Sequence, residues 1–248
     1  MKISIITATY NSEATVKDTI ECISRQTYKD IEHVIVDGNS SDRTMEIVEH
    51  YGDHIAKVVS EPDNGIYDAM NKGINLTTGD IIGILNSDDF YINNEVIEKV
   101  IQAFENEEVD SVYGDLQYVH PKEPWRVVRS WRAGNFRRNR FLYGWMLPHP
   151  TFFVRRSVYE EFGRFNLSLS SAADYEIMLR FLYKNKISTY YIPEVLVRMR
   201  TGGVSNASLK NRLVANWEDR MAWRLNDLQP RFYTTLLKPI RKIGQFVS

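Results

Sequence analysis

The first 115 residues alternate between two hydrophobic periods, and that alternation restricts the fold more than any other feature of the chain. Apolar runs rich in Ile and Val, at residues 3–6, 31–36, 55–59, 81–85 and 109–113, have the length and continuity of strands buried on both faces. Between them Val16, Ile20 and Ile23, then Met45, Val48 and Tyr51, then Val96, Val100 and Phe104 recur at the three- and four-residue steps of amphipathic helices. Each helical segment follows a capping residue, Asn11 or Ser12, Ser40 or Ser41, and Asn93 or Asn94, suited to the free N–H groups of a first turn. Strand and helix in strict succession imply right-handed βαβ units around a parallel sheet. Ligands of such sheets bind beyond the carboxyl ends of the strands, so residues 7–11, 37–41, 61–67 and 86–89 are expected at one rim.

After Asp115 the alternation stops. Residues 120–150 read as loop, with Pro121, Pro124, Pro148 and Pro150, and residues 126–140 carry six arginines and no acid. Helical patterns return at 158–162, at 173–183 and from 208 to about 225, and Pro230 precedes a basic amphipathic piece at 232–247. This divides the chain into residues 1–115, a nucleotide-binding type of α/β half, 116–205, a second half of the same domain, and a helical tail at 206–248. Charge divides the same way: residues 1–115 hold 8 Lys+Arg against 23 Asp+Glu, and residues 116–248 hold 23 against 9. The basic half is expected to face an anionic partner, and the acidic half argues against nucleic acid. A single cysteine, Cys22, allows no internal disulfide, and no run of apolar residues is long enough to span a membrane. The start of the chain lacks a signal-peptide core, so the expected location is the cytoplasm.

The sharpest local signal is Asn86-Ser87-Asp88-Asp89, directly after the run 81–85. Paired carboxylates at a strand end suit a hard divalent cation that shares its oxygen ligands with a phosphate; a turn or helix cap would use the same residue types. Asp37-Gly38 after the second run suits contacts to a nucleobase or ribose, or a plain turn. No GxGxxG and no GxxxxGK[ST] is present, which removes the support for dinucleotide and P-loop readings.

Together these pieces resemble the family 2 glycosyltransferases, enzymes of the GT-A fold, a Rossmann-like, mostly parallel α/β sheet flanked by helices, here with a C-terminal helical tail. The resemblance rests on Ser4-Ile5-Ile6-Thr7-Ala8-Thr9-Tyr10-Asn11, on residues 36–44 around Asp37, on Asp63-Asn64-Gly65-Ile66-Tyr67-Asp68-Ala69-Met70-Asn71-Lys72-Gly73 and on residues 85–89. It continues more loosely through residues 149–153, 173–176 and 202–205. It implies transfer of a sugar from a nucleotide diphosphate donor to a hydroxyl of a glycan acceptor, with inversion, in assembly of a bacterial surface polysaccharide. It also implies roles: Thr7, Thr9 and Tyr10 line the nucleotide, Asp37 contacts the base, Asp88 the ribose or metal, and Asp89 the Mn²⁺ or Mg²⁺. Asn64, Asp68, Lys72 and Asn86 fall in the same donor-binding motifs, Lys72 facing either the donor phosphates or Asp68.

Direct displacement needs a general base on the acceptor side, and Asp174 occupies the matching position. Ser171 to Asp174 also fits a capping box, with Ser171 as cap. His149, between two prolines, is expected near the acceptor or the donor phosphates, and Trp145, Arg137 and Arg138 near the acceptor or a phosphate. As hypothesis, that acceptor is a sugar on a polyprenyl diphosphate, and the tail, with Phe232, Leu236, Leu237, Ile240 and Phe246, lies on anionic lipid at the inner face of the cell membrane. The long helix at 208–225 offers a surface for a homodimer. Two other readings remain open: a sugar-1-phosphate nucleotidyltransferase, whose Gly-rich first turn is missing here, and a non-catalytic nucleotide-sugar-binding or scaffold protein, which would bind donor without turnover.

Overall fold

In a computed structural model of the chain, residues 1–202 and 209–241 are described. The expected alternation is present: β1 (Ile3–Thr9), α1 (Val16–Ser24), β2 (Ile31–Asp37), α2 (Thr44–His50), β3 (Lys57–Ser60), α3 (Ile66–Leu76) and β4 (Ile81–Ile84) follow one another. These four strands pair in parallel, β3 on β2, β2 on β1 and β1 on β4. Every residue of β1 is buried, because helices cover both faces of the sheet. Ile6 and Ala8 pack on the face carrying Met70 and Ile74 of α3, while Ile3 and Ile5 point to the opposite face, as the two-residue period of a strand requires. The third run is displaced: Ile55 packs beside Val48, and the strand starts only at Lys57, alternating between half-buried and exposed at the sheet edge. Helix caps also fall later than expected, at Thr15, Arg43 and Glu95.

The second half departs further from expectation. β5 (Asp89–Tyr91), α4 (Val96–Glu107), β6 (Ser111–Val119), β7 (Val127–Trp131), β8 (Phe153–Arg155) and β9 (Thr189–Arg200) complete one nine-stranded sheet in the order β3-β2-β1-β4-β8-β6-β9-β5, with β7 on the far part of β6. Residues 120–150 are therefore not simply loop: β7 pairs antiparallel with β6, and short 3₁₀ turns form at Arg138–Tyr143 and His149–Thr151. β6 and β9 run in parallel over most of their length, whereas β8 and β5 are antiparallel to their neighbours. This pairing places Asp89 opposite Met199, Met199 opposite Tyr118, and Tyr118 opposite Arg129. The strand-end carboxylates thereby lie beside the basic hairpin of the second half.

α5 (Arg156–Phe162), α6 (Ala173–Met178) with a wider π-type turn at Leu179–Lys184, α7 (Leu209–Leu225) and α8 (Thr234–Arg241) close the fold. Trp223 of α7, Tyr175 of α6 and Phe141 and Trp145 share one buried cluster with Ile6 and Val36, so the tail helix α7 belongs to the core. Residues 203–205 of the looser motif and Phe246 of the tail lie outside the described residues. No helix among the described residues is long and apolar enough to cross a membrane.

Candidate active site

The first rim loop leaves β1 at Thr9. Tyr10 is 64 % exposed at its edge, a free aromatic face at the strand terminus. Asn11 takes a left-handed backbone (φ 48°), its amide donates to the Ser40 hydroxyl at 2.7 Å and its side-chain oxygen accepts from the Ser41 amide at 2.9 Å. The loops after β1 and β2 are thus tied to one another. Asp37 ends β2 and is fully buried, accepting from the Ser40 amide at 2.9 Å and from the Ser60 hydroxyl at 2.6 Å. Its carboxylate shapes the loop from inside. The carboxylate that reaches over this loop is Asp63: a Cβ on Gly38 would lie 2.6 Å from Asp63 Oδ2 and 3.3 Å from the Tyr10 ring. A larger residue at position 38 would have to push the Asp63 carboxylate aside.

Thr7 faces the core. Its hydroxyl meets Nε2 of His33 at 3.0 Å, and burial pushes the His33 imidazole down to about 3, so the ring is neutral. Thr7 therefore does not line the nucleotide. Thr9 does sit at the rim, and its buried hydroxyl has no partner.

The fourth loop carries Asn86, Ser87, Asp88 and Asp89. Ser87 is hydrogen-bonded to Ser12 at 2.8 Å, and the Thr19 hydroxyl donates to the Asp89 carbonyl at 2.7 Å, so α1 holds the loop. Asp89 is 0 % exposed and opens β5, where Asn86 Nδ2 stands 3.4 Å from Oδ2 and Oδ1 has no partner. Burial and then the neighbouring Asp88 push its carboxyl well above the usual range, against the Asn86 amide and Arg200. Asp88 is half-buried and is likewise raised by burial. Of the pair, Asp88, expected at the ribose or metal, is the half-buried one, and Asp89, expected at the metal, is fully buried behind it. Three buried oxygens without partners, Thr9 Oγ1, Asn86 Oδ1 and Asp89 Oδ1, belong to these two loops. Unpaired buried acceptors are costly, and a hard cation that takes oxygen ligands is the chemistry that fits them. Among the described residues no cluster of three or more His, Cys, Asp or Glu could hold a metal alone, so remaining ligands would come from a bound phosphate.

Across the cleft, α6 presents Asp174. The Tyr67 hydroxyl donates to Asp174 Oδ1 at 3.3 Å, Tyr67 stacks on Phe165 at 5.5 Å and His149 meets the same Phe165 edge-on at 5.5 Å. Burial holds the His149 ring below its ordinary value, with the negative charge of Asp174 opposing. His149 is therefore a neutral imidazole within electrostatic reach of Asp174. Tyr118, raised chiefly by burial, feels both Asp89 and Asp174, and the Arg129 guanidinium lies 3.7 Å over its ring. Tyr118 thus lies within electrostatic reach of both a strand-end carboxylate and Asp174.

Several expected contributors are engaged elsewhere. Lys72 pairs with Glu61 at 2.8 Å and Asp68 at 3.9 Å and donates to the Pro62 carbonyl at 2.9 Å; its ammonium serves α3 and the loop before it. Asp68 accepts from the Asn64 amide at 3.0 Å, so these two residues brace the start of α3. Trp145 is 4 % exposed and donates to the Ala133 carbonyl at 3.0 Å; it is core and has no face to offer a sugar. Arg137 is exposed, while the Arg138 guanidinium sits 4.6 Å over the Tyr183 ring. Ser171 does not cap α6: the cap position is Ala172, without a side-chain cap. Sequence reasoning missed Tyr67 and Asp63, although both stand in the quoted motif beside Asn64. It also missed Arg200, which donates to the Asp88 carbonyl at 2.7 Å and pairs with Asp18. Only the pairing of β5 with β9 brings Arg200 there, and no local signal announces it.

The Glycosyl transferase family 2 profile matches residues 4–163. A PGL/p-HBAD biosynthesis glycosyltransferase of Mycobacterium bovis is 31 % identical over 212 residues, 82 % of this chain and 78 % of that protein. Among solved structures, residues 1–349 of Staphylococcus aureus TarS, in complex with UDP-GlcNAc, superpose with a TM-score of 0.70 at 20 % identity over 91 % of this chain and 65 % of that one. The mannosyltransferase PcManGT of Pyrobaculum calidifontis, in complex with GDP-Man and Mn²⁺, superposes with a TM-score of 0.68 at 18 % identity over 95 % and 68 %. Against the longer TarS chain the match spans 41 % of its length. With the rim loops, the acid pair and these likenesses together, the chain belongs to glycosyl transferase family 2, in the GT-A fold.

Proposed function

We propose that this glycosyltransferase takes its sugar from a nucleotide diphosphate donor and passes it, with inversion, to a hydroxyl of a glycan acceptor in surface-polysaccharide assembly. The observation that carries this reading is the gathering of Asp88 and Asp89 at the end of β4, and of Tyr67 and His149 around Asp174, with Tyr118, two ladder steps from Asp89, within electrostatic reach of both Asp89 and Asp174. Tyr10 and Asp63 supply the face and the carboxylate for the base, over the loop that Asp37 holds. Asp88, backed by Asp89, would hold Mn²⁺ or Mg²⁺. Bound there, the cation supplies charge neutralisation to the departing diphosphate. Asp174 takes the proton of the acceptor hydroxyl as its oxygen attacks the anomeric carbon opposite the leaving group. Tyr67 holds the carboxylate in position, and neutral His149 leaves its charge unpaired.

A panel of UDP-, GDP- and dTDP-sugars with Mn²⁺ or Mg²⁺, followed for nucleotide diphosphate release, tests this. Metal-dependent release from one donor, lost in Asp88→Ala and strongly slowed in Asp174→Asn, is expected. Donor-specific thermal stabilisation without any release, unchanged in Asp174→Asn, would instead favour a non-catalytic donor-binding protein.

The tail supports an acceptor carried on lipid. Trp217 (60 % exposed), Leu225, Phe232 (84 % exposed) and Leu236 stand in solvent together with the exposed Arg220, Arg224 and Arg231, a composition suited to an anionic membrane surface. Flotation of the full chain with vesicles containing anionic lipid, compared with a Phe232→Ser, Leu236→Ser variant, tests it; equal recovery of both refutes the membrane contact. A homodimer through α7 would cover the same face and would show as concentration-dependent mass without lipid.

A further inference from the structure

The helix that carries Asp174 is short. α6 spans six residues, Ala173–Met178, follows Ala172 and has no side-chain cap at that position. Of the donors that a helix start leaves free, the Tyr175 amide is met by Asp174 Oδ1 at 2.8 Å, while the Ala172 amide and the turn before it are met from another part of the chain. Glu218 of α7 is 4 % exposed. Its Oε1 accepts from the Ser170 amide at 2.9 Å and the Ser170 hydroxyl at 2.6 Å. Its Oε2 accepts from the Ser171 amide at 2.7 Å, the Ser171 hydroxyl at 3.0 Å and the Ala172 amide at 3.0 Å. Burial works against the charged form, yet these hydrogen bonds outweigh it and hold the carboxyl below its ordinary value. One buried carboxylate thus takes five hydrogen bonds from the three residues before α6.

The remaining polar contacts of α7 to α6 have the same sense. Trp223 Nε1 donates to the Tyr175 hydroxyl at 3.0 Å, and Asn226 Nδ2 donates to Glu176 Oε1 at 3.0 Å. Tyr175 and Glu176 are buried against α7, whereas Asp174, about 100° away around the helix, is half-exposed and meets Tyr67. α7 grips α6 from behind while Asp174 looks into the cleft. Glu218 lies 55 residues beyond the last family-matched position, residue 163, and Asp174 lies beyond it as well.

We infer that Glu218 is a positioning residue for transfer: by clamping the turn Ser170–Ala172 it sets where α6 begins, and so where the Asp174 carboxylate stands relative to the acceptor hydroxyl. The inference rests on the reading of Asp174 as base. Loss of near-attack geometry by even about 1 Å costs on the order of 100-fold in rate, so the clamp acts on turnover and leaves the donor site, built on β1, β2 and β4, untouched. Glu218→Gln keeps the volume but turns an amide N–H₂ toward backbone N–H groups, breaking up to three of the five bonds.

The test is steady-state nucleotide diphosphate release, from the donor that the UDP-, GDP- and dTDP-sugar panel identifies, for Glu218→Gln, Asp174→Asn and the double variant, each assayed well below its own melting temperature. Expected is a fall in kcat of about 10- to 100-fold for Glu218→Gln, a donor KM within about threefold, and less than about twofold further loss when Glu218→Gln is added to Asp174→Asn. A merely structural role predicts the same fold-loss in both backgrounds. Should Glu218→Gln fail to fold, Ser170→Ala with Ser171→Ala removes only the two hydroxyl bonds and is expected to lower kcat about three- to tenfold, again only when Asp174 is present. Unchanged kcat, or equal losses with and without Asp174, overturns the clamp. Wild-type turnover in Asp174→Asn instead refutes the base reading, and the route through it, so the two failures are distinguishable.

Discussion

Asp88 and Asp89 are adjacent in sequence and opposite in environment, and their alanine variants should separate stability from metal binding. Asp89→Ala leaves the Asn86 side-chain amide short of a buried acceptor. An unsatisfied buried group costs about 1–3 kcal/mol. Part of that is returned, because the wild-type carboxyl is itself disfavoured by burial and by Asp88. A net loss of about 1–3 kcal/mol corresponds to a drop of roughly 2–12 °C in a chain of this size. The half-buried Asp88 carboxylate has its charge disfavoured by burial, with its own backbone N–H opposing, and among the described residues no other side chain donates to it; Asp88→Ala should shift melting by no more than a degree or two, within about 0.5 kcal/mol. The readout is thermal unfolding with and without Mn²⁺ plus UDP or GDP. A ligand at about 100 times its Kd adds about 2.7 kcal/mol to the wild type. That increment should vanish in Asp88→Ala at nearly unchanged basal melting, and shrink in Asp89→Ala on top of a lowered baseline. An Asp88→Ala protein that keeps the full increment, beside an Asp89→Ala protein of wild-type stability, would falsify this division of roles.

The remaining predictions concern the frame around the cleft. Burial pushes Glu32 up, but hydrogen bonds from Ser4, Thr78 and Lys2 outweigh it and bring the carboxyl from 4.5 to about 2; its stabilisation is therefore complete above pH 4.5 and fades as pH falls toward 2. Glu32→Gln should melt well below wild type at pH 7 and converge with it near pH 2 to 3, and a gap independent of pH refutes the assignment. Gly144 has φ +73°, and a Cβ there would stand 2.5 Å from the Lys238 amide nitrogen. Gly144→Ala should cost about 2–5 kcal/mol through left-handed strain and overpacking and make the segment after Asp227 the first to be cut by protease. Tyr67→Phe removes one hydrogen bond to Asp174, about 0.5–1.5 kcal/mol or roughly 2- to 12-fold in kcat, with donor KM unchanged; an effect on KM alone would place Tyr67 in donor binding.

The periodicity of residues 1–115 is sufficient to specify β1 to β4 and α1 to α3, because each strand carries a continuous apolar run, each helix buries a stripe visible in its own sequence, and right-handed βαβ crossovers restrict how such strands pair. The rim follows from that topology, which is why Thr9, Tyr10, Asp37 and Asp88 are found at the strand ends where the motifs put them. Which way each side chain turns is not a local property. Thr7 turns inward because strand alternation sets it against His33, Asp89 is sealed because β5 pairs with β9, and Trp145 is core because Ala133 accepts its N–H. The basic, aromatic stretch 120–150 reads as loop because its partner, β6, imposes β7 from outside the segment. The capping box at Ser171 is locally plausible, yet Glu218, 47 residues on, draws both the Ser171 amide and its hydroxyl onto one carboxylate oxygen. Sequence alone thus determines the parallel half-sheet and the chemical repertoire at its rim, since both follow from the hydrophobic period of each segment and from the residues written directly after each strand. Only the tertiary structure decides which carboxylate meets the cleft, which aromatic is buried and what holds Asp174, because those depend on groups brought together from 26 to 182 residues apart.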